Sequence, residues 1–285
     1  MLLLSELVHL ISAVFRISDE LPGSSKIRYI ETLWGKFHFI GDLYGYLIMN
    51  PAFERQDLEY FVSRIKIALN NGCRIAFFDI GANVGLYTIG LRKQYSEDRL
   101  KIYSFEPDPT YYKLLYKNFV DNHSAYAGFH GRQSVEVEHS AASADFRSGE
   151  RITRSHGRKP VELQSNEVAV YPFALGDKNI VIKKPGFGLY GDHVRKQPTR
   201  FVIKKFDSVL SLAKLNTFER IFVKIDNEGH EAEALRGANK LLKCKIPVLF
   251  MIEDCVNPSV ISYLKSNQYR FICKLTPFNS FWALN

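Results

Sequence analysis

Phe77-Phe-Asp79-Ile-Gly81-Ala-Asn83-Val-Gly85-Leu-Tyr87 is the stretch on which the fold turns. With Ile75 and Ala76 before it, an unbroken apolar run ends in an acid, passes through a Gly-x-Asn-x-Gly turn and opens a helix. A continuous apolar run, without alternation, marks a strand covered on both faces, as in a parallel sheet. Glycine is needed where backbone turns tightly and approaches a bound group closely, because a Cβ would obstruct both. The helix N-terminus behind the turn offers free N–H groups and a partial positive charge. The segment therefore reads as a cofactor cradle. It lacks the dinucleotide pattern G-x-G-x-x-G, and an acid at the strand end suits a cationic amine better than a pyrophosphate.

Two further strands end in acids. Lys101–Phe105 runs into Glu106-Pro107-Asp108, roughly 20 residues beyond the glycines, where a carboxylate can accept the ribose hydroxyls of an adenosine. Glu106 could instead cap the helix that begins at Pro109. Phe222-Val-Lys-Ile-Asp226-Asn-Glu228-Gly229-His230 repeats the pattern, strand then acids then helix, and so emerges at the same edge of the sheet. In open α/β sheets that edge is the ligand crevice. The helix dipole accounts for Glu231 and Glu233 in the first turn; it accounts less well for Asp226 and Glu228, which precede the helix.

Outward from these motifs the chain alternates short apolar strands and helices: helix 84–94, helix 109–120, strand 168–173, a hairpin-like pair within 178–206, a helix near 207–214, strand 220–225, helix 230–243, strand 248–252 and helix 257–267. That alternation predicts a mainly parallel sheet with helices on both faces. The final runs, Tyr269–Leu275 and Ser280–Leu284, are joined too tightly for a parallel crossover and must pair antiparallel. Residues 1–70 form an N-terminal extension expected to pack on the core, with a helix, a β-rich stretch around Lys36–Met49 and a helix near Arg55–Leu69. Residues 71–285 form the main domain. Within it, 122–167 reads as an inserted loop or a lid, because a long stretch without periodicity inside a compact domain is usually a functional excursion.

The chain has 285 residues, 46% hydrophobic and 24% charged, which excludes disordered and collagen-like classes. It contains no apolar run of about 18 residues, so no spanning helix is expected. Cys73, Cys244, Cys255 and Cys273 form no C-x-x-C pair, and His123, His130, His139 and His156 of the insertion show no metal-ligand spacing. No metal is called for, and a reduced, cytoplasmic setting is expected. The apolar Met1–Phe15 suits packing against its own domain or in a homodimer, and only weakly a peripheral membrane contact, because it lacks a basic face. The net charge of +8 is concentrated in Lys183, Lys184, Arg195, Lys196, Arg200, Lys204 and Lys205, set against Asp192 alone. This basic hairpin suits an acidic acceptor. Nucleic acid is not expected, for no aromatic-basic RNA signature accompanies the charge.

The motifs DIGANVG (79–85), SFEPDP (104–109), ALGD (174–177), KKFDSVL (204–210) and KIDNEGHEAEALRGA (224–238), in this order, resemble the FkbM-type family of class I S-adenosylmethionine-dependent methyltransferases. The resemblance covers roughly Glu54 to Glu253. It implies a Rossmann-like seven-stranded, mostly parallel α/β sheet whose last strand is antiparallel. It also implies S-adenosylmethionine as cofactor and O-methylation of a hydroxyl on a sugar, glycan or related natural product. Two features depart from the family pattern: the length of 122–167, and Asn227 where the family usually has valine.

Carried onto this chain, the resemblance assigns Asp79, Gly81, Asn83 and Gly85 to the methionine end of the cofactor and Glu106 to the ribose. It assigns Phe105, Phe173 and Ala174 to the adenine, and places Asp226 and Glu228 beside the methyl group. A hydroxyl acceptor must lose a proton, so a general base is sought; Glu228 is preferred, then His230 and Asp226. His193, Arg195, Lys196, Arg200 and Glu253 are the candidates for acceptor binding. A nicotinamide-dependent oxidoreductase and a methyltransferase-like binding module without turnover are the alternatives.

Overall fold

The computed structural model describes residues 28–39, 54–96, 98–123, 161–162, 168–184, 199–209, 211–255 and 258–284. Residues 1–15, most of the insertion and the tip of the basic hairpin, with the readings placed on them, lie outside the described residues.

The chain begins with an antiparallel hairpin, β1 (Arg28–Thr32) and β2 (Gly35–Phe39), followed by α1 (Arg55–Asn70). Then come β3 (Ile75–Ile80), α2 (Leu86–Gln94), β4 (Leu100–Phe105) and α3 (Pro109–Asn122). Short β5 (Val161–Glu162) precedes β6 (Val168–Tyr171), β7 (Ala174–Gly176), β8 (Ile180–Lys184) and β9 (Thr199–Lys205). Two single-turn helices, α4 (Phe206–Val209) and α5 (Leu212–Leu215), lead to β10 (Arg220–Ile225). The chain ends through α6 (Glu231–Arg236), α7 (Asn239–Leu242), β11 (Val248–Glu253), α8 (Ser259–Ser266), β12 (Tyr269–Lys274) and β13 (Asn279–Leu284).

The main sheet runs β12-β13-β11-β10-β3-β4-β6-β5. Its centre, from β11 to β6, is parallel, and β13 lies antiparallel between β11 and β12. This is the expected Rossmann-like α/β sheet of seven strands with an antiparallel last strand. A two-residue eighth strand, β5, adds antiparallel to the β6 edge from within the region read as an insertion. Among the described residues no helix is long and apolar enough to cross a membrane.

The apolar run 75–80 is continuous because both faces of β3 are covered. Phe77 packs edge-on to Phe61 of α1 at 5.1 Å, while its neighbour Phe78 stacks on Tyr103 at 5.1 Å on the opposite face. Both rings are fully buried, and each such ring contributes about 1.5–3 kcal/mol through burial. The N-terminal hairpin is held by α3: the side-chain amides of Asn118 and Asn122, one helical turn apart, bond the backbone of His38 and Lys36. They satisfy polar groups along β2 that water would otherwise have to meet.

Several boundaries differ from the sequence reading. The β-rich N-terminal stretch starts at Arg28, earlier than Lys36, since Thr32 and Gly35 close a tight turn around Leu33-Trp34, while its expected continuation over 40–49 lies outside the described residues. The strand expected over 168–173 stops at Tyr171, and Ala174–Gly176 joins a separate three-stranded sheet, ordered β7-β9-β8. The expected hairpin is there: β8 and β9 pair antiparallel. The helix expected over 230–243 breaks between α6 and α7, at Gly237-Ala238, where the chain passes so close to β7 that a Cβ at Gly237 would run into the carbonyl oxygen of Gly176. The helix near 207–214 is likewise two short turns.

Candidate functional site

Strands β3, β4 and β10 are adjacent and parallel, so their acid-tipped C-terminal ends lie along one rim. The register places Asp79 beside Lys224 on β10. Beyond β3 the chain folds over the neighbouring strands: the N–H groups of Gly81 and Ala82 both donate to the Phe105 carbonyl at 3.0 Å, and Asp226 N–H donates to Ile80 O at 3.1 Å. Gly81, Asn83 and Gly85 all take positive φ (75°, 51° and 93°), a conformation that accounts for glycine at two of the three positions.

Asp79 is fully buried beneath this turn. Its Oδ2 accepts from the backbone N–H of Thr88 at 3.1 Å and from the Thr88 hydroxyl at 2.6 Å, tying β3 to α2. Burial raises its carboxyl above the ordinary range, with Lys224 and Thr88 opposing the shift. Lys224 is itself buried; its ammonium donates to Gly81 O at 2.6 Å and lies 3.2 Å from Asp226 Oδ2 and 3.9 Å from Asp79 Oδ1. Burial works against that charge, yet Asp226, Asp79 and Glu54 outweigh it and hold the ammonium above its usual range. Lys224 thus stitches the first and third motifs together. It stands inside a motif singled out by sequence, but its part depends on strand register, which no local pattern encodes.

Glu106 ends β4 with both oxygens held by backbone: Oε2 accepts from Asn83 N–H at 2.9 Å and Oε1 from Asp108 N–H at 2.7 Å. Burial pushes it up to about 7 despite those bonds. Capping of α3 falls instead to Asp108, which accepts from Thr110 and Tyr111. Phe105 is fully buried, stacked on Tyr171 at 4.9 Å and tilted against Phe173 at 5.7 Å. Ala174, half-buried, begins β7 beside it, and the Lys204 ammonium sits 4.3 Å over the Phe173 ring.

The third group gathers at the ends of β10 and β11. Carboxylate oxygens of Asp226, Glu228 and Glu253 all lie within 4.8 Å of one another. Burial, reinforced by Asp226 and Glu253, pushes Glu228 up to about 8; burial with Asp226 and Glu231 pushes Glu253 up to about 7. Carboxyls this close share protons or share a cation. Glu228 is held in a left-handed backbone conformation, φ 55°. Glu231 supports the turn from below, its Oε1 accepting from Asn227 and Gly229 N–H. His230 precedes α6 with an exposed ring and does not cap the helix through its side chain.

Of the acceptor candidates, Glu253 joins the cluster, whereas Arg200 is exposed on β9 of the small sheet. His193, Arg195 and Lys196 lie outside the described residues. Glu54, just before α1, belongs to none of the motifs, yet its carboxyl is pushed up to about 8 by burial and faces Lys224, Asp226 and Asp79. A separate cavity of about 500 Å³, lined by Asn216, Asn239, Lys240, Lys243, Cys244 and Lys245, lies at the opposite, N-terminal ends of β10 and β11.

The family model for the methyltransferase FkbM domain matches residues 79–271. No curated protein matches the sequence. Among solved structures, the methyltransferase FkbM of Methylobacillus flagellatus KT is similar at 14% identity and TM-score 0.44, over 74% of this chain and 43% of that one. This chain therefore spans less than half of that protein's length. The Pyrococcus abyssi tRNA (uracil-54, C5)-methyltransferase, in complex with S-adenosyl-L-homocysteine, is similar at 11% identity and TM-score 0.36, over 90% of this chain and 43% of its own. The SAH-bound methyltransferase PaMTH1 of Podospora anserina follows at 9% identity and TM-score 0.36, over 80% and 77%.

Proposed function

The chain belongs to the FkbM methyltransferase family, and on that premise we propose that it is an S-adenosylmethionine-dependent O-methyltransferase acting on a hydroxyl of a sugar, glycan or related natural product. The observation that carries the O-methylation reading is the convergence of Asp226, Glu228 and Glu253 beside the Gly81 turn. Family membership weighs against the nicotinamide alternative; a chain without turnover is left to the assay below.

The residues present fit the cofactor. Buried acceptor atoms with no hydrogen-bond partner include Asn83 Oδ1 and Glu253 Oε2, a supply of acceptors suited to a cationic group with N–H donors. When bound, S-adenosylmethionine supplies an electrophilic methyl on a sulfonium, so the protein's main task is alignment, worth on the order of 7–11 kcal/mol. Gly81, Asn83 and Gly85 would shape the cradle for the methionyl end, with Asp79 fixing the turn from beneath and Asp226 flanking it. Glu106 would meet the ribose hydroxyls, and Phe105, Phe173 and Ala174 would form the adenine side.

Glu228 is the preferred base for the acceptor's proton. It is exposed at the rim and raised to about 8, so its ionised fraction, which grows with pH, takes the acceptor's proton, and such a base contributes roughly 10²–10⁴-fold. His230 and Asp226 are its rivals. Glu253 and the basic hairpin, including Arg200, would receive the acceptor, the hairpin favouring an acidic one. The test is mass spectrometry of glycan and natural-product pools incubated with a methyl-labelled donor. A mass gain on a hydroxyl supports the reading. Labelling of carbon or nitrogen instead, or donor binding with no transfer to any pool, counts against it.

A further inference from the structure

The N-terminal extension contributes one carboxylate that the motifs do not account for. Glu54 stands immediately before α1 with φ 51° and ψ −1°, a left-handed conformation for a residue with a Cβ. Its carbonyl receives the first helical bond, from Leu58 N–H at 2.9 Å, but its side chain makes no capping bond. The strain therefore brings no local benefit to the helix. Among the described residues, the other non-glycine positions with positive φ are Asn83, Glu228 and Gln268, and the first two form the turns of the candidate site. Strained residues of this kind concentrate where function requires a fixed side-chain direction.

The packing of α1 places Glu54 at the same rim. Asp57, less than one turn further on, is fully buried, and its Oδ2 accepts from Thr276 Oγ1 at 2.8 Å and Asn279 Nδ2 at 2.9 Å. Asn279 stands opposite Glu253 in the β11–β13 register. The first turn of α1 is thus anchored at the strand ends from which the acidic cluster emerges. The groups facing the Glu54 carboxyl are Lys224, Asp226, Asp57 and Asp79, and Tyr87 of α2 feels its charge. Lys224 is already engaged with Gly81 O, Asp226 and Asp79. Glu54, Asp79 and Asp226 thus lie around one ammonium whose close contacts go to the latter two, and a second cation at Glu54 would stabilise its ionised form. Asp79 is fully buried and bound to Thr88, whereas Glu54 is part-exposed and can meet a ligand.

We propose that the Glu54 carboxylate receives the α-ammonium of the cofactor's methionyl end, an inference that rests on the S-adenosylmethionine reading above. Glu54 then makes the N-terminal extension part of the cofactor site, and the charge-assisted bond distinguishes an amino-acid-bearing nucleoside from a simple one.

Titration calorimetry on the full chain tests this with three probes: S-adenosylhomocysteine, its deaminated analogue, which keeps the carboxylate, and 5′-methylthioadenosine, which lacks the whole amino-acid end. Glu54→Gln is expected to weaken S-adenosylhomocysteine about 10- to 100-fold, the range for a hydrogen bond to a charged group. It should leave the other two within about twofold, and Glu54→Asp should recover part of the loss. Removing the ammonium from the ligand should weaken binding to the native chain but not to Glu54→Gln. Equal weakening of all three probes would mean that Glu54 merely supports the fold, and unchanged S-adenosylhomocysteine affinity would mean that it touches nothing; either result overturns the proposal. If the native chain binds none of the three, the cofactor reading itself fails, a result distinct from failure at Glu54.

Discussion

The carbonyl oxygen of Asp226 lies where a Cβ on Gly81 would have to go. Two motifs 145 residues apart are in backbone contact at this point, and Gly81 is glycine for two reasons: its φ of 75° and the presence of Asp226. The contact is reinforced by Lys224 Nζ on Gly81 O and by Asp226 N–H on Ile80 O. The rim is therefore one rigid unit, and its parts are expected to fail together.

Gly81→Ala should consequently cost more than left-handed strain alone. Gly72 supplies the control: it has φ 80° but nothing within 4 Å of the place a Cβ would take. Gly72→Ala should lose about 1–2 kcal/mol of stability from backbone strain, and Gly81→Ala should lose roughly 2 kcal/mol more because Asp226 must move. Urea unfolding of both variants gives the comparison. Equal losses would mean that the Asp226 contact relaxes freely.

Glu228→Gln should keep affinity for S-adenosylhomocysteine within about threefold and lose roughly 10²–10⁴-fold in turnover. The native kcat/KM should rise with pH toward about 8, where Glu228 ionises, since a base must be deprotonated to act. The variant's residual activity should lack that limb. Parallel losses of affinity and turnover would make Glu228 a binding residue and move the base to His230 or Asp226.

Much of this site could be read from sequence because each of its main acids follows a short, mostly apolar strand pattern: Asp79 after 75–78, Glu106 after 100–105, Asp226 after 220–225. Parallel pairing then had to bring them to one edge. What stayed hidden depends on contacts between distant segments. Lys224 matters because its strand aligns it with Asp79. Glu54 matters because Asp57 is anchored by Thr276 and Asn279, more than 200 residues away, which the alternation of apolar residues in α1 does not reveal. The glycine at 237 is of the same kind, required by the close approach of the Gly176 carbonyl.

Stability should fall as pH rises from about 4.5 to about 8. Glu106 and Glu253 are raised to about 7, and Glu54 and Glu228 to about 8, with burial the leading cause in each. The unfolded chain releases these protons near the ordinary 4.5. Across that window the native state binds more protons, so the slope of unfolding free energy with pH is negative, and it levels off above about 8. Thermal unfolding across the range should show Tm decreasing. Glu106→Gln should flatten the part below about pH 7. A Tm that increases from pH 5 to 8 would contradict the raised values.

Lys224 offers a sharper test of how the rim is held. Its ammonium compensates Asp79 and Asp226 within a buried setting, so Lys224→Met leaves carboxylates without a counter-charge and should destabilise the fold by roughly 3–5 kcal/mol. Methionine fills much the same volume, so packing contributes little to that loss. Asp79→Asn alone should also destabilise, because Thr88 and Lys224 both address its carboxyl. The double variant Lys224→Met/Asp79→Asn removes one charge of each sign and should cost less than the sum of the singles, with a coupling of roughly 1–3 kcal/mol. Urea unfolding of the four proteins measures it. Additive losses would mean that Lys224 acts on Gly81 and Asp226 alone, and that the link between the first and third motifs runs through backbone rather than charge.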